Sequence, residues 1–188
     1  MKIKIIRKED FITTKWAGGE TTQLTIYPED AVFANRDFLF RISSATFTST
    51  ESEFSDFTGY QRYILPLEGK LKLDHKGLYK RELNKYDAEY FDGSWSTYSE
   101  NTLDCRDYNF IVKNGSQAKM QILNQGDEYS LKSSQIVTMF SMEDYEIQIG
   151  DEEKKVEGFS LLVLETEKEE KITIENATVP VIVTEFRK

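Results

Sequence analysis

Two arginines stand where a folded chain has little reason to put a charge. Arg41 falls at the end of Phe38 to Ile42, and Arg62 falls in Tyr60 to Leu67, both runs otherwise written for buried strands. A guanidinium taken out of water without a partner costs several kcal/mol, so each must find an acceptor. One answer is an internal ion pair with Asp107 or Glu68. The other is a pocket in which the pair meets a ligand carboxylate through bidentate bonds. Asp107 and Asn109 fall at i and i+2 of one extended run, with Tyr108 and Phe110 between and beyond them on the opposite face. Strand parity would then separate a polar pocket from an apolar core.

Other chemistries have less to work with. The single histidine, His75, sits in Leu73-Asp74-His75-Lys76-Gly77 and reads as an exposed hairpin tip. A transition-metal site draws on several nitrogen and sulfur ligands, and Ser-His-Asp or Cys-His catalysis needs a histidine near its nucleophile. No metal and no cofactor are expected. The one cysteine, Cys105, stands beside Arg106, which could lower its pKa, but a lone thiol flanking a strand reads as inert. Gly18-Gly19 lacks the G-x-x-x-x-G-K-[ST] framework of a phosphate loop and reads as a structural turn.

The elements that must position these residues are strands. Across 188 residues, short apolar runs recur at about 8–12-residue spacing with turn signals between them, and no stretch sustains a 3.6-residue period. Ile3 and Ile5 alternate with lysines, Leu24 and Ile26 lead to a closing Pro28, and Arg106 to Val112 runs into Asn114-Gly115. Lys15 to Gln23 and Thr48 to Glu53 read as polar loops. Phe54 to Leu73 holds two runs joined by a Glu68-Gly69 corner and is expected to be the central hairpin, with Gly69 supplying a positive φ. A lobe boundary is expected at Asn124 to Asp127, giving a barrel over 1–124 and a smaller β lobe over 125–188, packed as one compact unit.

A net charge of −9 without a basic stripe argues against a nucleic-acid partner. No run approaches the ~20 apolar residues of a membrane span, and the N-terminus lacks the apolar core of a signal peptide. With one cysteine, a cytoplasmic protein is expected.

Four patterns in order carry a resemblance: Trp16-Ala17-Gly18-Gly19-Glu20-Thr21-Thr22-Gln23, then Phe40-Arg41-Ile42-Ser43-Ser44-Ala45, then Phe54-Ser55-Asp56-Phe57-Thr58-Gly59-Tyr60-Gln61-Arg62, then Asp107-Tyr108-Asn109-Phe110-Ile111. Together they resemble the HutD/Ves group of cupin-like proteins, over most of residues 11–125. Thr58 stands where that group usually has Pro, and Gln61 where it has Asp, which removes one carboxylate from the pocket rim. The resemblance implies an all-β, double-stranded β-helix (jelly-roll) fold with few short helices, arranged as bicupin-like barrels, and a link to histidine utilisation. It implies no established reaction.

The resulting expectation is a pocket for a small anionic metabolite, used for binding or sensing. Arg41 and Arg62 supply charge, Asp107, Asn109, Thr22 and Gln23 orient the ligand, and Trp16 and Tyr60 wall it. The rivals are a metal-independent isomerase or hydrolase using Asp107 as acid or base, and a structural protein without a ligand.

Overall fold

A computed structural model describes residues 1–187. The chain opens with β1 (Lys2–Ile6) and a 3-10 turn at Lys8–Asp10. Next come β2 (Ile12–Trp16), β3 (Gly19–Tyr27), a 3-10 turn at Phe33–Asn35, β4 (Phe40–Phe47), β5 (Glu51–Glu53), β6 (Tyr60–Glu68) and β7 (Leu71–His75). The strands β8 (Tyr79–Leu83), β9 (Glu89–Asp92), β10 (Thr97–Asn101) and β11 (Arg106–Lys113) follow. The remainder comprises β12 (Gln117–Leu123), β13 (Glu128–Leu131), β14 (Gln135–Phe140), β15 (Tyr145–Ile149), β16 (Glu152–Val156), β17 (Leu161–Thr166), β18 (Glu170–Ala177) and β19 (Val181–Arg187). The protein is all-β, as the turn spacing requires.

Two compact units divide the chain: Ile12–Gly115, and Met1–Phe11 together with the segment from Ser116 onward. The division therefore falls ahead of the expected boundary at Asn124 to Asp127. The physical reason is pairing. Strand β12 hydrogen-bonds along its whole length to β19, and β1 to β17, so both belong to the unit built from the C-terminal strands.

The unit of residues 12–115 has a six-stranded sheet in the order β2-β3-β4-β11-β6-β9 and a four-stranded sheet β5-β10-β7-β8, every pairing antiparallel. The other has a five-stranded sheet β1-β17-β14-β19-β12 and a four-stranded sheet β13-β18-β15-β16. Its interior is packed with apolar side chains on alternate positions, among them Val137, Met139, Tyr145, Ile147, Leu162, Leu164, Ile172 and Ile174.

Residues 54–73 do not form the expected hairpin. Strand β6 pairs with β11 and β9, whereas β7 pairs with β10 and β8 in the other sheet. Gly69 has φ +65° as anticipated, yet it turns the chain from one sheet to the next instead of folding it back on itself. Two apolar runs in succession can pair with each other or face each other across a core, and the alternation of Leu71 and Leu73 with lysines fits both. Segment 15–23 is likewise no loop. It is the β2-β3 hairpin, in which a Cβ at Gly19 would run into the Thr46 carbonyl oxygen of β4, so the strands close up only because the residue is glycine. Strands β5 and β10 occupy stretches too polar to show as strands in the sequence.

Candidate functional site

Two apolar clusters lie on the cavity side of the 12–115 unit. One contains Phe47, Ile64, Leu71, Leu73, Leu83, Phe91 and Cys105, the other Ile26, Phe38, Phe57, Tyr60 and Ile111. A cavity of about 280 Å³ is bordered by members of both, namely Phe47, Phe57 and Ile111. Three adjacent strands of the large sheet supply much of its polar wall, with Arg41 and Ser43 on β4, Asp107 and Asn109 on β11 and Arg62 on β6, and Glu53 of β5 adds a carboxylate. Trp16 on β2 and Phe54 before β6 also line it.

Parity sorts β11 as the sequence indicated. Asp107, Asn109 and Ile111 face the cavity, while Tyr108 and Phe110 point the other way and are fully buried. The register fixes the rest. On β11, Ile111 stands opposite Arg41 of β4 and Arg62 of β6, so the two guanidiniums flank that strand from either side.

Each arginine is buried, 6% exposed for Arg41 and 7% for Arg62. Arg41 donates from Nε to Gln23 Oε1 at 2.8 Å and from Nη1 to Ser43 Oγ at 3.2 Å. Arg62 donates from Nη2 to Asn109 Oδ1 at 3.0 Å, and its Nε has no acceptor among the described residues. The internal ion pairs weighed for them are not formed: Glu68 instead meets Arg106 at 3.5 Å, and Asp107 takes its hydrogen bonds from the Ala45 N–H and from Asn109 Nδ2. Phenylalanine rings take the place of carboxylates. The Arg41 guanidinium lies 4.1 Å from the Phe33 centroid, and that of Arg62 lies 4.5 Å from Phe54 and 5.3 Å from Phe57.

Burial sets the electrostatics. It draws the Arg41 pKa down to about 10, helped by the neighbouring charge of Arg36. It draws Arg62 down to about 10 as well, against the pull of Asp107 and with the push of Arg36 and Arg41. Burial pushes the Asp107 carboxyl up to about 7, outweighing the Ala45 N–H, Arg62, Asn109 and Arg106, all of which favour its ionised form.

Of the residues expected at the site, Trp16, Arg41, Arg62, Asp107 and Asn109 line the cavity and Thr22, Gln23 and Tyr60 do not. Gln23 stands behind Arg41 and holds it. Thr22 has the opposite parity to Thr21 and Gln23 and meets Thr13 across the hairpin, Oγ1 to Oγ1 at 2.9 Å. Tyr60 is a strut: its hydroxyl donates to the carbonyls of Arg36 (2.7 Å) and Phe38 (3.1 Å). That strut helps hold Arg36, a residue absent from the sequence reading, in a left-handed conformation at φ 55° with its guanidinium 3.6 Å from the Phe57 centroid.

His75 overturns its reading as an exposed tip. It is fully buried, its Nδ1 2.8 Å from Thr97 Oγ1 and its ring packed among Tyr79, Phe91 and Trp95. It ends β7 on the inward parity of Leu71 and Leu73, which carries it inside although its neighbours Asp74 and Lys76 are polar. It is not a cavity residue. Cys105 is buried, and burial with nearby Asp107, Asp104 and Glu68 pushes its thiol up to about 12, so Arg106 does not activate it. Among the described residues no group of three His, Cys, Asp or Glu converges as a metal site, and no helix is long and apolar enough to cross a membrane.

The model of the HutD family matches residues 8–181. This chain belongs to the HutD family. HutD from Pseudomonas fluorescens SBW25 is 23% identical, with a TM-score of 0.80 over 99% of this chain and 98% of that one. A conserved protein of unknown function from Pseudomonas aeruginosa PAO1, PA5104, is 24% identical, with a TM-score of 0.81 over 100% and 98%. A cupin 2 conserved barrel domain protein from Leptotrichia buccalis has a TM-score of 0.58 at 12% identity, over 100% and 97%. Both the match of fold and the two-sheet units are those of a cupin-like jelly roll. No curated protein matches the sequence.

Proposed function

We propose that this HutD-family protein binds a small carboxylate-bearing metabolite in the cavity of its 12–115 unit and serves as a cytoplasmic binding or sensing protein. Its two units would then be the barrels of a bicupin. One observation carries the reading: two buried arginines face the same cavity, and neither makes an ion pair among the described residues. A fold that only needed packing would gain from apolar residues there. With Phe33, Phe54 and Phe57 beside the guanidiniums, a carboxylate can take up their free N–H groups in a site partly shielded from water. At about 280 Å³ the cavity lies just below the usual range for ligand pockets, which suits a metabolite of few atoms.

The family's name directs the first probes to acids of histidine breakdown, urocanate and formylglutamate. Thermal shift of the protein against these, against simple carboxylates, and against amines and neutral sugars tests the reading. Stabilisation confined to the acids supports it, and no response to any acid removes it. A second reading is favoured by Asp107, whose pKa of about 7 suits a general acid or base at neutral pH. Turnover of a bound acid, followed by proton NMR, would select that reading.

A further inference from the structure

Asp107 has one oxygen at work and one idle. Oδ1 accepts from the Ala45 N–H at 2.9 Å and from Asn109 Nδ2 at 2.7 Å. Oδ2 has no hydrogen bond among the described residues, and the side chain lines the cavity with only 3% of the residue exposed. Oδ1 is thereby committed as an acceptor, so any proton that the carboxyl carries belongs on Oδ2, facing an arriving ligand.

The charged groups facing Asp107 come from every side. Arg62 acts on it from β6 and Arg106 from its own strand, while Arg41 of β4 lines the same cavity four residues further along β11, opposite Ile111. Arg36 reaches Arg41 and Arg62 electrostatically from the turn after Asn35. Cys105 precedes on the chain, and Glu53 of β5 lines the same cavity. Despite these cations, none is within ion-pair reach of Asp107, because Arg62 spends its Nη2 on Asn109. An acid bound by Arg41 and Arg62 therefore brings a second carboxylate into the same desolvated cavity as a first that is not neutralised by contact. Like charges so placed cannot both stay ionised without cost, whatever the total balance of the site.

We propose that the cavity takes up its anion together with a proton, held on Asp107 Oδ2 and donated to an acceptor of the ligand, which makes Asp107 the residue that selects for acids and ties binding to pH. This rests on the anion pocket proposed above and specifies its regulation. The direction follows from linkage. The bound state holds more protons than the free state, so affinity is flat in mild acid and falls as the pH rises through the free carboxyl's range.

Calorimetric titration with acetate and with formylglutamate, neither of which titrates between about pH 6 and 9, tests this in paired buffers of different ionisation enthalpy. Near pH 8 the wild type is expected to take up between about half and one proton per ligand, and its Kd to weaken up to about tenfold per pH unit above pH 7. Asp107→Asn preserves both Oδ1 bonds and a donor; it should show no uptake and a flat profile. Binding of either acid by the wild type without proton uptake overturns the inference and leaves the anion pocket standing. No binding at any pH overturns both. The wild-type measurement stands alone should the variant fail to fold.

Discussion

Arg62 reaches past the carboxylate to the amide: its Nη2 donates to Asn109 Oδ1 at 3.0 Å, while Asn109 Nδ2 donates in turn to Asp107 Oδ1 at 2.7 Å. Asn109 thus separates a cation from an anion that would otherwise pair. The interposed amide leaves a guanidinium with an unused donor and a carboxyl with a spare oxygen on the same wall of the cavity.

Because neither arginine is neutralised by contact, each should be dispensable for folding. Arg62→Met removes a desolvated charge at the expense of one hydrogen bond worth about 1.5–3 kcal/mol, so its ligand-free stability should lie within about 2 kcal/mol of the wild type while its response to acids is lost. Denaturant melts with and without acid measure both. A loss beyond about 3 kcal/mol, the size expected for a broken buried pair, would mean that Arg62 is partnered internally.

Asp107 should tilt stability with pH in the unusual direction for a carboxyl. The unfolded chain releases this proton near about pH 3.9, whereas the folded one holds it to about 7. Between those values the native state binds more protons, so stability falls as the pH rises, by up to about 4 kcal/mol across the window. Subtracting the Asp107→Asn profile from that of the wild type isolates this slope from carboxylates such as Asp74 and Asp92, whose hydrogen bonds hold their pKa values down. A flat difference between pH 4 and 7 would contradict the assignment.

How much was legible depended on parity. Arg41, Arg62, Asp107 and Asn109 declared themselves because a charge or amide on the inward phase of an apolar strand is conspicuous in sequence. Thr22 and Gln23 are adjacent on β3, and adjacent residues face opposite ways, so at most one could face the cavity; Gln23 shares the parity of the lining residue Thr21 but stops at Arg41 instead of lining the cavity. Phe33 opens a 3-10 turn and Phe54 and Phe57 lie in the loop before β6, where periodicity carries no signal, and only the folded chain brings them to the guanidiniums. Arg36 is hidden for the same reason. The pairing of β6 was misread because an apolar run says that a strand is buried but not which strand lies beside it.

His75 supplies a separate test of the interior. Burial lowers its pKa, opposed by Glu89 and Asp74 and aided by Arg62. The unfolded histidine protonates near about pH 6.5, so below that the unfolded state binds more protons and stability is lost as the pH falls toward the folded value. His75→Phe, which leaves Thr97 Oγ1 its bond to the Trp95 carbonyl, should lose less stability than the wild type between pH 6.5 and 5. Parallel profiles in urea would contradict a neutral buried ring.

The most direct test of the anion pocket is the thermal midpoint of wild type, Arg41→Met and Arg62→Met with and without formylglutamate at neutral pH. A ligand at a hundred times its Kd stabilises by about 2.7 kcal/mol, so the wild-type midpoint should rise by several degrees while neither variant responds. Wild type and both variants shifting equally, or none shifting with any acid, would contradict the account.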